Sequence, residues 1–227
     1  MSVAWPSILH HNIGDWFIAP MNALGPITPA GQQVIGLDAG LWQVSLSGFT
    51  IWTADQVREW RGVVASLQGG LEALIIGPFD CRQAPRAPGA NPFVGITHSD
   101  GALFSDNAGY QQSAAVVAVK QAAARRATSL TVEIISAGDD LRRGMYFSIA
   151  DRLYIITSPP SKHHGNQATF NFLPPLRMAA PIGTDVEFAR PKATMRLATP
   201  GAGRLALRNG RFGEPSLDLV ESFHGLG

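Results

Sequence analysis

Residues 41–77 read LWQVSLSGFTIWTADQVREWRGVVASLQGGLEALIIG and hold the pattern that decides the fold. At the start of this stretch, Trp42, Val44 and Leu46 alternate with polar side chains. A two-residue period of this kind is typical of a β-strand with one buried face. At its end, the apolar run LEALIIG is closed by Pro78 and predicts a second strand.

A helix is expected between these two strands. Thr53 and Gln56 have the spacing of a capping box, in which the side chain of each residue bonds the backbone N–H of the other. Gly69 and Gly70 predict the end of the helix. Apolar residues at helical spacing would form its buried face: Val57, Trp60, Val64 and Leu67. The chain has 24 glycines and 16 prolines, so we expect no other substantial helix.

The C-terminal half predicts a second, all-β part. Short apolar runs separated by glycine and proline are typical of a small barrel or sandwich. The predicted strands are 114–119, 130–136, 145–150, 153–158, 168–173, 186–189 and 194–197. Asp151 and Arg152 are expected to form a two-residue hairpin connection. Residues 216–223 would close the chain as a strand or a short helix.

The rest of the chain is rich in glycine and proline. Residues 1–33 are expected to be irregular, with one or two short strands. Residues 82–110 predict a long loop, and a loop of this length is often an interaction segment. The fold class is therefore mainly β (α+β), with one main helix plus a small β-barrel or sandwich domain. The predicted parts are 1–81, 82–110, 111–199 and a C-terminal extension, 200–227, that packs back.

Composition limits the possible functions. The chain has 227 residues and a net charge of +1, which argues against nucleic acid or an anionic membrane as a partner bound by long-range charge. Only 15% of the residues are charged, against about 25% in an average domain, which indicates a subunit covered by neighbours. We expect a soluble protein made in a cytoplasm, because neither a signal peptide nor an apolar stretch of membrane-spanning length is visible.

The search for catalytic chemistry finds no motif. The nucleophile elbow G-x-S-x-G and the phosphate loop are absent, and the G-x-G-x-x-A pattern at 201–206 lacks the surrounding βαβ unit that dinucleotide binding needs. The single cysteine, Cys81, excludes intrachain disulfides and is interpreted as a structural thiol. We therefore predict no enzyme activity and no catalytic, cofactor or metal site.

Acidic and histidine pairs are given structural interpretations as well. Asp139 and Asp140 are expected in a turn beside their own arginines. The pairs His10–His11 and His163–His164 are interpreted as loop histidines, because adjacent side chains in an extended chain diverge.

Tryptophans and other aromatic residues are the candidate binding residues. Trp42 and Trp60 are assigned to the core by their periodicity. The predicted assembly-interface residues are Trp5, Trp16, Trp52, Phe93, Phe104 and Tyr110, of which the last three lie in or beside the long loop. Tryptophan is enriched at protein interfaces, and it also stacks against sugars, so glycan binding stays open as an alternative.

The order of several short motifs resembles one protein family. These motifs are Trp5-Pro6, 30–34 (AGQQV), 40–45 (GLWQVS), the capped helix at 53–70, 141–149 with 152–157, 174–177 (PPLR), 195–197, 210–213 and 220–223. Together they resemble the distal tail or tail-tip proteins of long-tailed, siphovirus-like bacteriophages and gene transfer agents. The resemblance covers most of the chain, but residues 82–110 match nothing in the family pattern.

The resemblance implies a structural virion protein in the phage tail, with a tail-tube-like first domain. Such proteins form a ring, commonly a hexamer, at the distal end of the tail tube. The ring would continue the DNA channel without sequence readout, with the tail tube protein above and hub or tail-fibre proteins below. Barrel-like strands would line or brace the channel, and the loop at 82–110 would reach a neighbour. No cofactor and no membrane segment are implied.

Two other functions remain open at this point. The first is a carbohydrate-binding module of the tail tip that recognises a host surface glycan through tryptophan and tyrosine. The second is a small hydrolase with a scattered site that would depend on His98 or Cys81.

Overall fold

The computed structural model describes residues 2–10, 12–29, 31–78, 85, 115–137, 139–162 and 165–223. The chain divides into two compact units. Unit 1 comprises Met1–Phe79, Ala150–Leu153 and Lys192–Gly227, and unit 2 comprises Asp80–Ile149 and Tyr154–Pro191. The described part is mostly β with one α-helix, so the predicted β-rich α+β class is confirmed.

The elements follow the chain in this order: β1 (Ser2–Ala4), β2 (Ile13–Thr28), β3 (Gly31–Ser47), α1 (Ala54–Ser66), a 3₁₀ turn (Gln68–Gly70), β4 (Ala73–Ile76), β5 (Val116–Val119), β6 (Ser129–Ser136), β7 (Tyr146–Ile149), β8 (Arg152–Ile156), β9 (Ser161–Lys162), β10 (Gln167–Leu173), β11 (Ala193–Leu197) and β12 (Leu217–Glu221).

Unit 1 is built on a six-stranded sheet with the order β1-β4-β11-β12-β3-β2. All neighbouring strands are antiparallel except β1 and β4. The strands that flank α1, β3 and β4, are separated by β12 and β11 and run in opposite directions. The helix therefore joins two distant strands of one sheet and does not form a parallel crossover.

The predicted helix is confirmed in its capping and its buried face. Thr53 is the N-cap, and both hydrogen bonds of the capping box with Gln56 are present. Of the predicted buried face, Trp60 and Leu67 are buried and Val57 and Val64 are half-buried, while Val63, which was not predicted, is buried as well. Gly69 has a φ of 68°, a left-handed conformation that glycine adopts without strain and that ends the helical run.

The N-terminal segment differs most from its prediction. Residues 1–33 were expected to be irregular, but β2 runs for 16 residues and pairs with β3, which begins ten residues before the predicted strand. Pro20 and Pro26 lie at the two register shifts of this pairing, between Ala19 and Met21 and between Leu24 and Ile27. An edge strand tolerates proline at such irregularities, because no neighbour needs the missing N–H.

Unit 2 is a second sheet with the order β5-β6-β10-β8-β7, to which β9 adds by pairing with β10. Its core surrounds Phe147, whose ring lies 5.3–5.5 Å from four other rings. These rings belong to Tyr154, Phe170, Phe172 and Phe188. Five of the predicted strands of this region are present as β5, β6, β7, β8 and β10.

Two local predictions for the C-terminal half are wrong, and a third, the strand at 194–197, is confirmed but lies in a different sheet from its neighbours in sequence. Residues 186–189 contribute only an isolated bridge between Ser148 and Glu187. The strand predicted at 194–197, β11, joins the sheet of unit 1, because it pairs with β4 and β12. The hairpin connection between β7 and β8 is Ala150–Asp151, with φ values of 48° and 57°, and Arg152 already belongs to β8.

Candidate functional site

Trp5, a predicted interface residue, packs inside unit 1. It is half-buried, and its ring lies 5.7 Å from that of Phe49 and 6.2 Å from that of Trp60. Its indole Nε1 donates a hydrogen bond of 2.8 Å to the carbonyl oxygen of Leu9. The side chain therefore braces the aromatic cluster beneath α1, which leaves little of it to anchor a partner.

Trp16 also contacts the core of unit 1. Its half-buried ring meets Trp42 at 6.3 Å in an edge-on arrangement. The indole Nε1 of Trp16 is buried and finds no hydrogen-bond acceptor among the described residues. Trp42 itself is 1% exposed, so this pair belongs to the inner face of the sheet.

Trp52 is the predicted residue that the structure leaves open to solvent, with 72% of its side chain exposed. It lies directly after Ile51, which pairs with Gly213 through two backbone hydrogen bonds of 3.0 and 2.9 Å. In an antiparallel pairing, the residue that follows one member of a pair lies opposite the residue that precedes the other member. The side chains of these two residues point to the face opposite that of the first pair. Ile51 is buried, so Trp52 and Phe212 face solvent together.

Phe212 also connects this surface to a third segment of the chain. It pairs with Arg208 in an isolated bridge, with a 2.7 Å hydrogen bond from Arg208 N to the Phe212 carbonyl. Directly opposite residues point to the same face, so Arg208 and Phe212 share one face, and the bridge from Ile51 to Gly213 brings the backbone at Trp52 beside this pair. Between Arg208 and Arg211 the chain turns through Asn209 and Gly210, which both have left-handed φ values of 51° and 68°.

Gly213 fixes this arrangement by close packing. A Cβ atom there would lie 2.7 Å from the carbonyl oxygen of Ala206 and 2.7 Å from a methyl carbon of Leu205. Only glycine allows such an approach, so the bridge to Ile51 is held in one position. We call Trp52, Arg208 and Phe212, together with the exposed Arg211 that precedes Phe212 in the chain, the basic aromatic patch.

The basic aromatic patch carries positive charge from two arginines. Arg208 and Arg211 are exposed, and neither forms an ion pair with another residue in the described ranges. Arginine and aromatic side chains are the types most enriched where proteins bind other proteins. The patch can therefore supply both apolar area and charge-assisted hydrogen bonds to a partner.

Phe93, Phe104 and Tyr110, the three remaining predicted interface residues, lie outside the described residues. The same holds for the predicted long loop at 82–110 apart from Pro85, and for Cys81, His98, His11 and the pair His163–His164.

The acidic pair at 139–140 lies beside a polar cleft of about 580 Å³ in unit 2. Asp139 bonds Arg142 at 2.7 Å, as the turn prediction requires, and Asp140 bonds Lys162 at 2.7 Å. The backbone N–H of Asp140 and the guanidinium of Arg142 lower the pKa of Asp139. Both carboxylates are thus neutralised by cations. Among the described residues, no three metal-ligating side chains come together.

The glycine pattern at 201–206 has a packing role. Gly203 accepts a hydrogen bond of 2.8 Å from the Trp60 indole through its carbonyl. A Cβ atom at Gly203 would lie 2.9 Å from a methyl carbon of Leu217 and 3.0 Å from one of Val64. Gly203 therefore allows α1 to pack closely against the sheet.

Sequence reasoning identified Trp52 but missed its partners. Arg208 and Phe212 become neighbours of Trp52 only through the bridge from Ile51 to Gly213, which no local pattern reveals. The Asn209–Gly210 dipeptide is the signal that could have placed a tight turn there.

Comparisons with known proteins give no relative for this chain: no protein-family model matches it, and no curated protein matches it at a significant level. In the described ranges, no helix is both long and apolar enough to cross a membrane.

Proposed function

We propose that this chain is a structural subunit that assembles into a closed ring at the distal end of a phage tail tube. The ring, a hexamer by the resemblance of its motifs, would continue the DNA channel and dock hub or fibre proteins. DNA would pass without sequence readout, which is in keeping with a net charge of +1.

The observation that carries the proposal is the solvent exposure of Trp52 within the basic aromatic patch. Burying a large aromatic side chain in a protein contact contributes more than burying most other residues, so such side chains usually anchor an interface. A partner that covered Trp52 and Phe212 would remove apolar surface that is 72% and 40% exposed in the single chain.

The low charge content supports the same proposal. A ring subunit has two different faces covered by its neighbours, and stacking on the tube and the tip covers more. With 15% charged residues, the chain has fewer charges than an average domain uses to keep its whole surface in water.

Light scattering coupled to size exclusion, with electron micrographs of the peak, tests the proposal. We expect particles of six times the chain mass of 24.2 kDa, with a central hole in averaged images. Trp52→Ala should shift the population towards single chains, whereas Leu71→Ala removes a side chain of similar exposure (75%) outside the patch and serves as a control. Solid particles without a hole, or single chains at every concentration, would contradict a ring.

A carbohydrate-binding module is the second candidate, and the same exposed Trp52 favours it, because indole faces stack on sugar rings. Trp16 no longer supports it, since that ring contacts Trp42. A glycan array read with wild type and Trp52→Ala separates the two functions. Loss of glycan binding with assembly intact would favour the module, and loss of assembly would favour the ring.

A further inference from the structure

The sheet of unit 1 also has an exposed area on the side opposite α1, at β2 and the neighbouring parts of β3 and β12. Trp42, Val44 and Leu46 of β3 and their partners on β12 face inward and are buried. Gly203 lies within contact distance of Leu217 and of Val64 of α1, so α1 covers that inner face. The alternate residues of β2, β3 and β12 point to the outer side.

Two carboxylates lie in one row on the outer face. Asp15 of β2 is directly opposite Ser45 of β3, and Ser45 is directly opposite Asp218 of β12. The Ser45 hydroxyl donates a hydrogen bond of 2.6 Å to Asp218 Oδ1. Asp15 and Asp218 are exposed, and neither forms an ion pair with a described residue, including Arg196 on the same face.

Apolar side chains flank the carboxylates. Ile13 and Phe17 lie two positions before and after Asp15 on β2, so all three share the outer face. The exposed fractions of Ile13 and Phe17 are 59% and 44%. We call Ile13, Asp15, Phe17 and Asp218 the acidic patch. It combines two carboxylates with two large apolar side chains, as the basic aromatic patch combines two guanidinium groups with two aromatic rings.

We propose that the basic aromatic patch of one copy docks on the acidic patch of the next copy. This inference rests on the proposed ring, for which it names the contact. The arginines of one copy would pair with Asp15 and Asp218 of the next, and Trp52 and Phe212 would pack on Ile13 and Phe17.

The charges also determine the type of symmetry. If the same patch of two copies met across a two-fold axis, like charges would be brought together, which opposes association. Docking of one patch on the other pairs opposite charges instead. Such a contact uses two different surfaces of each chain, so it propagates from copy to copy and closes into a ring when the rotation permits.

Charge reversal of each patch tests the contact. The first variant is Arg208→Asp/Arg211→Asp, and the second is Asp15→Arg/Asp218→Arg. In either variant alone, both patches carry the same sign, so we expect association to weaken by at least about 100-fold. A 1:1 mixture should assemble again, with the two variants alternating, because every contact then joins opposite charges.

The matched control is Arg125→Asp/Arg190→Asp, which changes the same charge at exposed arginines of unit 2 and should leave assembly unchanged. Sedimentation velocity measures assembly, and circular dichroism confirms that each variant is folded.

The outcomes distinguish a failure of the proposed contact from a failure of the proposed ring. Loss of assembly in both variants and recovery in the mixture would support the contact. If the wild type forms a ring that either reversal leaves intact, the contact is wrong and the ring stands. If reversal abolishes assembly but the mixture does not restore it, the pairing of these two patches is wrong. A wild type that never assembles would overturn both.

Discussion

The two units bury their interiors in different ways. The core of unit 2 is a cluster of apolar side chains centred on Phe147, all drawn from residues 117–188, a range that only Ala150–Leu153 of unit 1 interrupt. The interior of unit 1 includes Arg152 and Glu221, which are 5% and 4% exposed. Glu221 accepts the backbone N–H of Trp42, and Arg152 donates to the carbonyl oxygen of Ser222. Unit 1 thus joins remote segments through buried polar contacts as well as apolar ones.

This difference explains why local sequence patterns predicted the structure of unit 2 better than that of unit 1. In unit 2, five strands have an alternating or continuous apolar pattern and are bounded by turn residues. Both features are visible in the sequence, so these strands could be predicted. In unit 1, β11 reads like its neighbours in sequence, yet it pairs with β4 and β12 of the first sheet. Nothing in residues 193–197 indicates which sheet they join, because pairing partners far along the chain are set by the whole fold.

The interaction surfaces were the least predictable feature for the same reason. Asp15 and Asp218 come from opposite ends of the chain and meet only through Ser45. Trp52 could be singled out from its residue type, whereas its neighbours Arg208 and Phe212 depend on a single bridge. Residue chemistry therefore suggested one member of the patch, and long-range register supplied the rest.

The largest expected effect is a loss of stability in the core of unit 2 that leaves the core of unit 1 unchanged. Phe147→Ala removes a ring that contacts four others, and we expect a loss of about 3–5 kcal/mol in the free energy of unfolding. Hydrogen exchange should show the loss of protection in unit 2. Met178→Ala, at a residue 37% exposed in the same unit, is the control and should cost less than about 1 kcal/mol. Equal loss of protection in unit 1 would mean that the two cores are not separate.

A second variant tests how tightly the remote segments of unit 1 are held. Gly203→Ala places a methyl group 2.9–3.0 Å from Leu217 and Val64 at a φ of 79°, so we expect destabilisation of about 1–3 kcal/mol. Gly62→Ala in α1 meets nothing within 4 Å and should stabilise the protein by up to about 1 kcal/mol. Denaturant melts compare the two substitutions, and an unchanged midpoint for Gly203→Ala would mean that this junction is loosely packed.

A smaller effect is expected at the helix cap of unit 1, which the local sequence predicted correctly. Thr53→Ala removes the side-chain acceptor of the capping box and should cost about 1 kcal/mol. Thr53→Ser keeps the hydroxyl and should retain most of the stability. If alanine and serine behave alike in thermal melts, the cap contributes nothing and the helix is held by packing alone.

The smallest effect concerns a surface turn of unit 2. The Asp140 backbone N–H and the Arg142 side chain lower the pKa of Asp139 below its usual value of 3.8. Because the folded pKa is the lower one, the contribution is present above pH 3.8 and is lost as the pH falls through the folded value. An NMR titration of the Asp139 carboxyl should show the low pKa, and Arg142→Gln should raise it. No change in Arg142→Gln would assign the shift to the backbone hydrogen bond alone.

Paired-cysteine crosslinking most directly tests whether unit 1 closes a ring through two different surfaces. Asp218→Cys and Phe212→Cys are introduced together in a Cys81→Ser background and joined with a bis-maleimide. We expect a ladder of covalent species that ends at the hexamer, while each single-cysteine chain stays uncrosslinked. Crosslinked dimers from the single-cysteine chains, or a double-cysteine protein that remains monomeric after treatment, would contradict it.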